Sequence, residues 1–199
     1  MTLHQHPVTL NIMSTARRVH YSFQEYLSAA EMSAVKLEYF DGEIFCMAGG
    51  TPEHAAIAAE TTIRLGSKLE AGCQTFTSDA RIHVEPTGLS TYPDVSVVCG
   101  PQQRGTKDPL ALVNPTVLVE VTSPSTEDYD RGEKLSHYKQ IPSLQAVLII
   151  SHAQRRVTLI VREGATWGVR DYRPSESFTV PGVGVTLSVD ELYGAVLRP

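Results

Sequence analysis

Asp94 and Glu120 each stand in a strand-like apolar run, a setting in which a carboxylate has metal chemistry open to it. The first run is Tyr92-Pro93-Asp94-Val95-Ser96-Val97-Val98-Cys99 and the second is Thr116-Val117-Leu118-Val119-Glu120-Val121-Thr122. An ionised carboxylate inside an apolar strand is costly unless something pairs with it, and a divalent cation is one such partner. Residues two apart share a strand face, so Glu120 lies with Leu118 and Thr122, and Asp94 with Ser96 and Val98. Pro93 suits the start of such a strand, where no ladder donor is needed. If the two strands are neighbours, both carboxylates converge on one cation. With a lysine nearby they form a minimal site for metal-assisted hydrolysis of a phosphodiester.

A lysine two residues after the glutamate would complete the usual acid–x–lysine arrangement, but Thr122 stands there. Lys134, arriving from the following helix, can do the same work by orienting the attacking water or offsetting charge in the transition state. On that helix Asp130, Lys134, His137 and Tyr138 fall along one face, because steps of three and four residues stack. The plainer alternative makes Lys134 a solvated helix lysine paired with Asp130. Glu43 follows Asp41-Gly42 in a hairpin, where an exposed strand acid is the default, and His54 near a helix start is commonly a capping or packing residue. Glu60 pairs with Arg64 at helical spacing. Asp79, Arg81, His83 and Glu85 alternate with Ala80, Ile82 and Val84, which predicts a half-exposed strand. Ser123-Pro124-Ser125-Thr126 has no Gly-x-Ser-x-Gly setting and reads as a helix-entry loop.

The elements that must position these residues can be followed along the chain. Ser22 with Glu25 three positions later is a capping-box start to a short helix. Leu37–Phe40 and Glu43–Met47 flank Asp41-Gly42, a strong hairpin signal. A helix is expected from about Glu53 to Glu70, with Ile57, Leu65 and Leu69 on its apolar side and Gly72 as its stop. Strands follow at 74–77, 80–85, 95–99 and 116–121, with 100–115 as a long surface loop. A helix starting near Asp130 ends before Pro142. Further strands at 146–151, 156–161 and 166–171, shorter strand-like pieces and a turn of helix near 190–193 close the chain. This order predicts an α/β fold, a mixed β-sheet with helices packed against it in a single domain spanning 21–199, preceded by a flexible arm at 1–20.

The chain has 199 residues, long enough for one well-cored domain, and its 42% hydrophobic and 20% charged content is that of a globular protein. No run of about 18 apolar residues predicts a membrane span, and the start of the chain does not read as a secretion signal. Cys46, Cys73 and Cys99 are odd in number and widely spaced, which predicts buried thiols in a reducing cytosol and no zinc site. The net charge of −5 argues against a tight, non-specific nucleic-acid binder. A basic footprint must be local, with Arg104 and Lys107 in one loop and Arg131, Lys134 and Lys139 around the later helix as candidates.

The segments Tyr92–Val98, Val117–Thr126 and Tyr129–Tyr138 together resemble a large bacterial family of restriction-endonuclease-like proteins within the PD-(D/E)XK nuclease superfamily. The resemblance extends upstream through Glu38-Tyr39-Phe40-Asp41-Gly42-Glu43 and Pro52-Glu53-His54, and covers roughly 22–195. It implies a restriction-endonuclease-like fold and a Mg²⁺- or Mn²⁺-dependent phosphodiesterase site acting on nucleic acid, with DNA the expected substrate. By motif, Asp94 and Glu120 take the metal-ligand positions and Lys134 matches a lysine moved from strand to helix. Glu43 and His54 match other polar positions of the site. Thr122 departs from the superfamily pattern, though not from this family's version. A homodimer is an expectation of the fold. The competing reading, favoured by the acidic charge and by Thr122, is a non-catalytic nucleic-acid-binding or protein-interaction module that retains the fold.

Overall fold

A computed structural model describes residues 19–47, 49–123 and 126–194. Most of the segment expected to be an arm, 1–18, lies outside the described residues. Among these residues the central feature is a six-stranded mixed sheet in the order β10-β9-β8-β7-β6-β3. Its strands are β3 (Cys73–Thr77), β6 (Val95–Cys99), β7 (Val117–Val121), β8 (Ala146–Ile150), β9 (Val157–Glu163) and β10 (Thr166–Tyr172). β7 and β8 run parallel and the other neighbours antiparallel.

A parallel pair needs a crossover, and the segment between β7 and β8 supplies it as a helix. That helix starts as α3 (Glu127–Tyr129), widens into a π-helical stretch (Asp130–Lys134) and ends as α4 (Leu135–Tyr138). It thus begins three residues before the Asp130 start read from the sequence. Its inner face buries Asp130, Lys134, Leu135, His137 and Tyr138, so the four polar residues expected along one side do share it.

The strand alternation divides the core into two layers. Val95, Val97, Val117, Val119 and Val121 face α2 (Pro52–Gly66), α5 (Val189–Tyr193) and the hairpin β11–β12 (Ser177–Val180, Val185–Ser188). Val98, Leu118, Val147, Ile149 and Ile160 face the crossover helix with Leu135, Tyr138 and Ile141. Each fully buried Val, Leu or Ile contributes ~1.5–3 kcal/mol, and this core is what offsets the cost of polar groups buried beside it.

A second sheet, in the order β2-β1-β5-β4, leans on the crossover side. It comprises β1 (Leu37–Phe40), β2 (Glu43–Cys46), β4 (Ile82–Val84) and β5 (Leu89–Thr91). Asp41 and Gly42, both at positive φ, make the β1–β2 turn as expected. The capping box of Ser22 and Glu25 opens α1 (Phe23–Met32), also as expected.

Several local expectations are corrected. The second helix stops at Gly66, short of Gly72, and Leu69 packs on the core from beyond it. The strand around His83 is fully buried, because β5 pairs with one edge while Leu112 bridges Ile82 on the other. The same contact draws the 100–115 segment inward, burying Asp108, Ala111 and Leu112, so it is not simply a surface loop. Cys73 and Cys99 are not thiols but a disulfide. The β3–β6 register sets them opposite each other with Cα atoms 4.0 Å apart, a proximity hidden by a sequence separation of 26 residues. Cys46 is free and exposed rather than buried. Among the described residues no helix is long and apolar enough to cross a membrane.

Candidate active site

The β6–β7 register pairs Val95 with Val119 and Ser96 with Leu118, so one step further places Asp94 opposite Glu120. Asp94 just precedes β6, and its side chain does what the next ladder bond would do. Its Oδ2 accepts the Val121 backbone N–H at 2.7 Å. The same oxygen lies 3.2 Å from His54 Nε2. His54 reaches it from the first turn of α2, where Thr51 caps the helix by accepting the His54 backbone N–H. The backbone of His54 is thus held by the cap while its ring contacts Asp94. The hydrogen bond to Asp94 raises the imidazole above its ordinary pKa against the effect of burial, and the Asp94 and Glu120 charges add to the rise.

Glu120 is 4% exposed and points toward the crossover helix, on the opposite face from Val119 and Val121. Its Oε1 accepts the Tyr138 hydroxyl and lies 2.9 Å from Lys134 Nζ. Lys134, 5% exposed, also lies 3.7 Å from Asp130 Oδ1 and 3.8 Å from Glu38 Oε1. The solvated-lysine reading is thus overturned, and Lys134 cannot belong to a basic surface footprint. Burial alone would lower the Lys134 pKa. The carboxylates of Glu120, Glu38 and Asp130 outweigh it and hold the ammonium charged. Arg131, another footprint candidate, is engaged by Glu127 and Thr158.

The wider turn of the π-helical stretch brings Asp130, Lys134 and Tyr138 toward one point, and such distortions recur at functional sites. Thr122, at the usual lysine position, is fully buried, and among the described residues its hydroxyl has no hydrogen-bond partner.

Glu38, Asp94, Glu120 and Asp130 surround one ammonium and one imidazole, so acid exceeds base. Burial pushes the Glu120 carboxyl up to about 8, with Asp94 and Asp130 adding to the rise while Lys134 opposes it. A donor set of hard carboxylate oxygens carrying surplus negative charge fits Mg²⁺ or Mn²⁺. Among the described residues no three His, Cys, Asp or Glu side chains form a ready-made metal cluster. The fit is therefore to a cation held by two carboxylates and completed by water and substrate oxygens, a common arrangement for Mg²⁺.

Glu43 stands elsewhere in the site. It lines a cavity of about 600 Å³ between the β1–β2 hairpin and the crossover helix, together with Glu38, Phe40, Phe45, Tyr129 and Glu133. The roles of Glu38 and Tyr138 were not read from the sequence. Glu38 is fixed by the Thr91 hydroxyl and the Tyr92 N–H, contacts made across 53 and 54 residues of chain. A usable signal for it was the Asp41-Gly42 hairpin, whose register puts Glu38 on the same face as Glu43.

Residues 23–190 match the family Uma2, described as "Putative restriction endonuclease". The chain belongs to this family. Two uncharacterized Synechocystis proteins are similar to it. One is 36% identical over 172 residues, covering 85% of this chain and 90% of the relative. The other is 32% identical over 136 residues, covering 67% and 76%. Among solved structures, a "putative nuclease belonging to DUF820" from Anabaena variabilis superposes with a TM-score of 0.68 at 21% identity, over 83% of this chain and 93% of that one. The Uma2 chain thus has the restriction-endonuclease-like mixed-sheet fold that the resemblance implied.

Proposed function

We propose that this Uma2 protein is a metal-dependent nuclease that hydrolyses phosphodiester bonds in DNA. The reading is carried by one observation: Asp94 and Glu120 in opposed register on adjacent strands, with the Lys134 ammonium 2.9 Å from Glu120. Asp94 and Glu120 would hold Mg²⁺ or Mn²⁺, which when bound acidifies water and polarises the phosphate. The chain's own groups do the positioning. His54 and the Val121 N–H fix the Asp94 carboxylate, and Tyr138 fixes that of Glu120. Lys134 brings a permanent positive charge to the side of Glu120, suited to offsetting charge that develops on the phosphate. Family membership supports the same activity.

The test is cleavage of single- and double-stranded DNA with Mg²⁺, Mn²⁺ or a chelator, alongside calorimetric Mn²⁺ titration. Wild type is expected to cut only with metal, and Asp94→Asn and Glu120→Gln are expected to lose more than about 100-fold in rate while staying folded. Metal-dependent cleavage that survives both substitutions would refute the assignment. A folded wild type that neither binds Mn²⁺ nor cuts would favour the non-catalytic module, a reading supported by the full enclosure of Lys134 among carboxylates.

A further inference from the structure

We infer that the cavity beside Lys134 is a nucleobase pocket, taking one unstacked base whose edge carries an amino group, from a single-stranded or locally opened strand. This deepens the nuclease reading and rests on it for the identity of the polymer.

The argument begins with the hairpin. Glu38 pairs with Phe45 and Phe40 with Glu43 across β1 and β2, and cross-strand partners share a face. The hairpin therefore presents a checkerboard of two aromatic rings and two carboxylates toward the crossover helix. Tyr129 and Glu133 complete the opposite wall. Phe45 is 45% exposed, so part of its ring is open to a stacking partner. Aromatic faces accept bases by stacking irrespective of sequence. Carboxylates accept hydrogen bonds from amino groups of cytosine, adenine or guanine, and thymine offers no such group. Burial and the Glu38 charge push the Tyr129 phenol up to about 12, so it remains a neutral donor for a base carbonyl or ring nitrogen.

Charge fixes the orientation. Asp41, Glu43 and Glu133 on the cavity wall repel phosphate, so the strand's backbone must remain at the mouth while the neutral base enters. Glu38 joins pocket and site. Its carboxylate lines the cavity and also lies 3.8 Å from Lys134, the ammonium that contacts Glu120. A base seated there would bring its own backbone near the two acids. The principal rival is an organic cation, which the same carboxylates and aromatic rings would attract.

The test is an NMR titration of metal-free protein with the neutral nucleosides adenosine, cytidine, guanosine and thymidine, which separates base recognition from phosphate, metal and cleavage. Amino-bearing nucleosides are expected to shift hairpin and Tyr129 resonances and to bind more tightly than thymidine. Phe45→Ala, at an exposed position, should weaken binding about tenfold, and Phe45→Trp should restore it. Equal binding of thymidine, or indifference to Phe45→Ala, would overturn the pocket. Displacement of bound nucleoside by spermidine at lower concentration would overturn it in favour of a cation site. Nucleoside binding without any DNA cleavage would sink the nuclease reading alone, and cleavage without nucleoside discrimination would sink the pocket alone.

Discussion

Arg81 and Lys134 are both cations drawn into the protein interior, yet their surroundings differ in a way that separates structural from chemical use of charge. Arg81 has one acid, Asp108, at 2.6 Å. Its Nε donates to the Tyr92 hydroxyl, and the guanidinium lies over the Tyr26 and Tyr92 rings. Asp108 is further satisfied by the Leu110 N–H. That pair is balanced. Lys134 has three carboxylates within 4 Å, and Asp94 stands opposite the nearest of them. No fold-stabilising purpose requires so much acid around one ammonium. Burial lifts the Glu120 carboxyl to about 8, and the Asp94 and Asp130 charges add to the rise against Lys134.

This contrast can be broken most directly by removing one acid from each side. Asp108→Ala strands a buried guanidinium and should cost ~3–5 kcal/mol of unfolding free energy in a denaturant titration. Glu120→Gln removes an acid from a cluster that has too many and should cost less than half as much. Equal losses would mean that the Lys134 cluster is as structural as the Arg81 pair.

A smaller effect should appear with metal. Mn²⁺ at a hundred times its dissociation constant should stabilise the wild type by ~2.7 kcal/mol, seen as a higher melting temperature. The same addition should leave Glu120→Gln unmoved. An identical rise in both proteins would place the ion elsewhere.

The smallest effect belongs to the Arg81 side. His83, packed on Phe23 and hydrogen-bonded to Ser90, is held below the ordinary imidazole pKa of 6.5 by burial. A histidine with a depressed folded pKa favours the folded state fully above 6.5 and loses that contribution as pH falls through the folded value. Wild-type stability should therefore decline on acidification below about pH 6.5, and His83→Gln should decline less steeply. Parallel pH profiles would show that His83 is not buried as described.

How much could be read beforehand depended on how local each signal is. Ser22 with Glu25 and Asp41-Gly42 are complete within four residues, and the elements they set appear as expected. The valine-rich runs at 95–99 and 117–121 announce buried strands because alternation and branching are written along the segment itself. Where a neighbour decides the outcome the reading failed. His83 reads as half-exposed until Leu112 and Ser90 arrive on either side, and Cys73 reads as a thiol until strand register sets Cys99 against it. Lys134 likewise has an obvious partner at helical spacing, Asp130, while its shortest contact is to Glu120 on another element.

The sequence by itself determined the fold class through its periodicity, the family through its resemblance, and the adjacent strands that carry Asp94 and Glu120, because these are properties of the chain. Only the tertiary structure decided the charge balance around Lys134, the parts played by Glu38 and Tyr138, and the acid-and-aromatic cavity beside them. Electrostatic surroundings depend on which surfaces exclude water together, and that is settled when the hairpin and the crossover helix meet over the sheet.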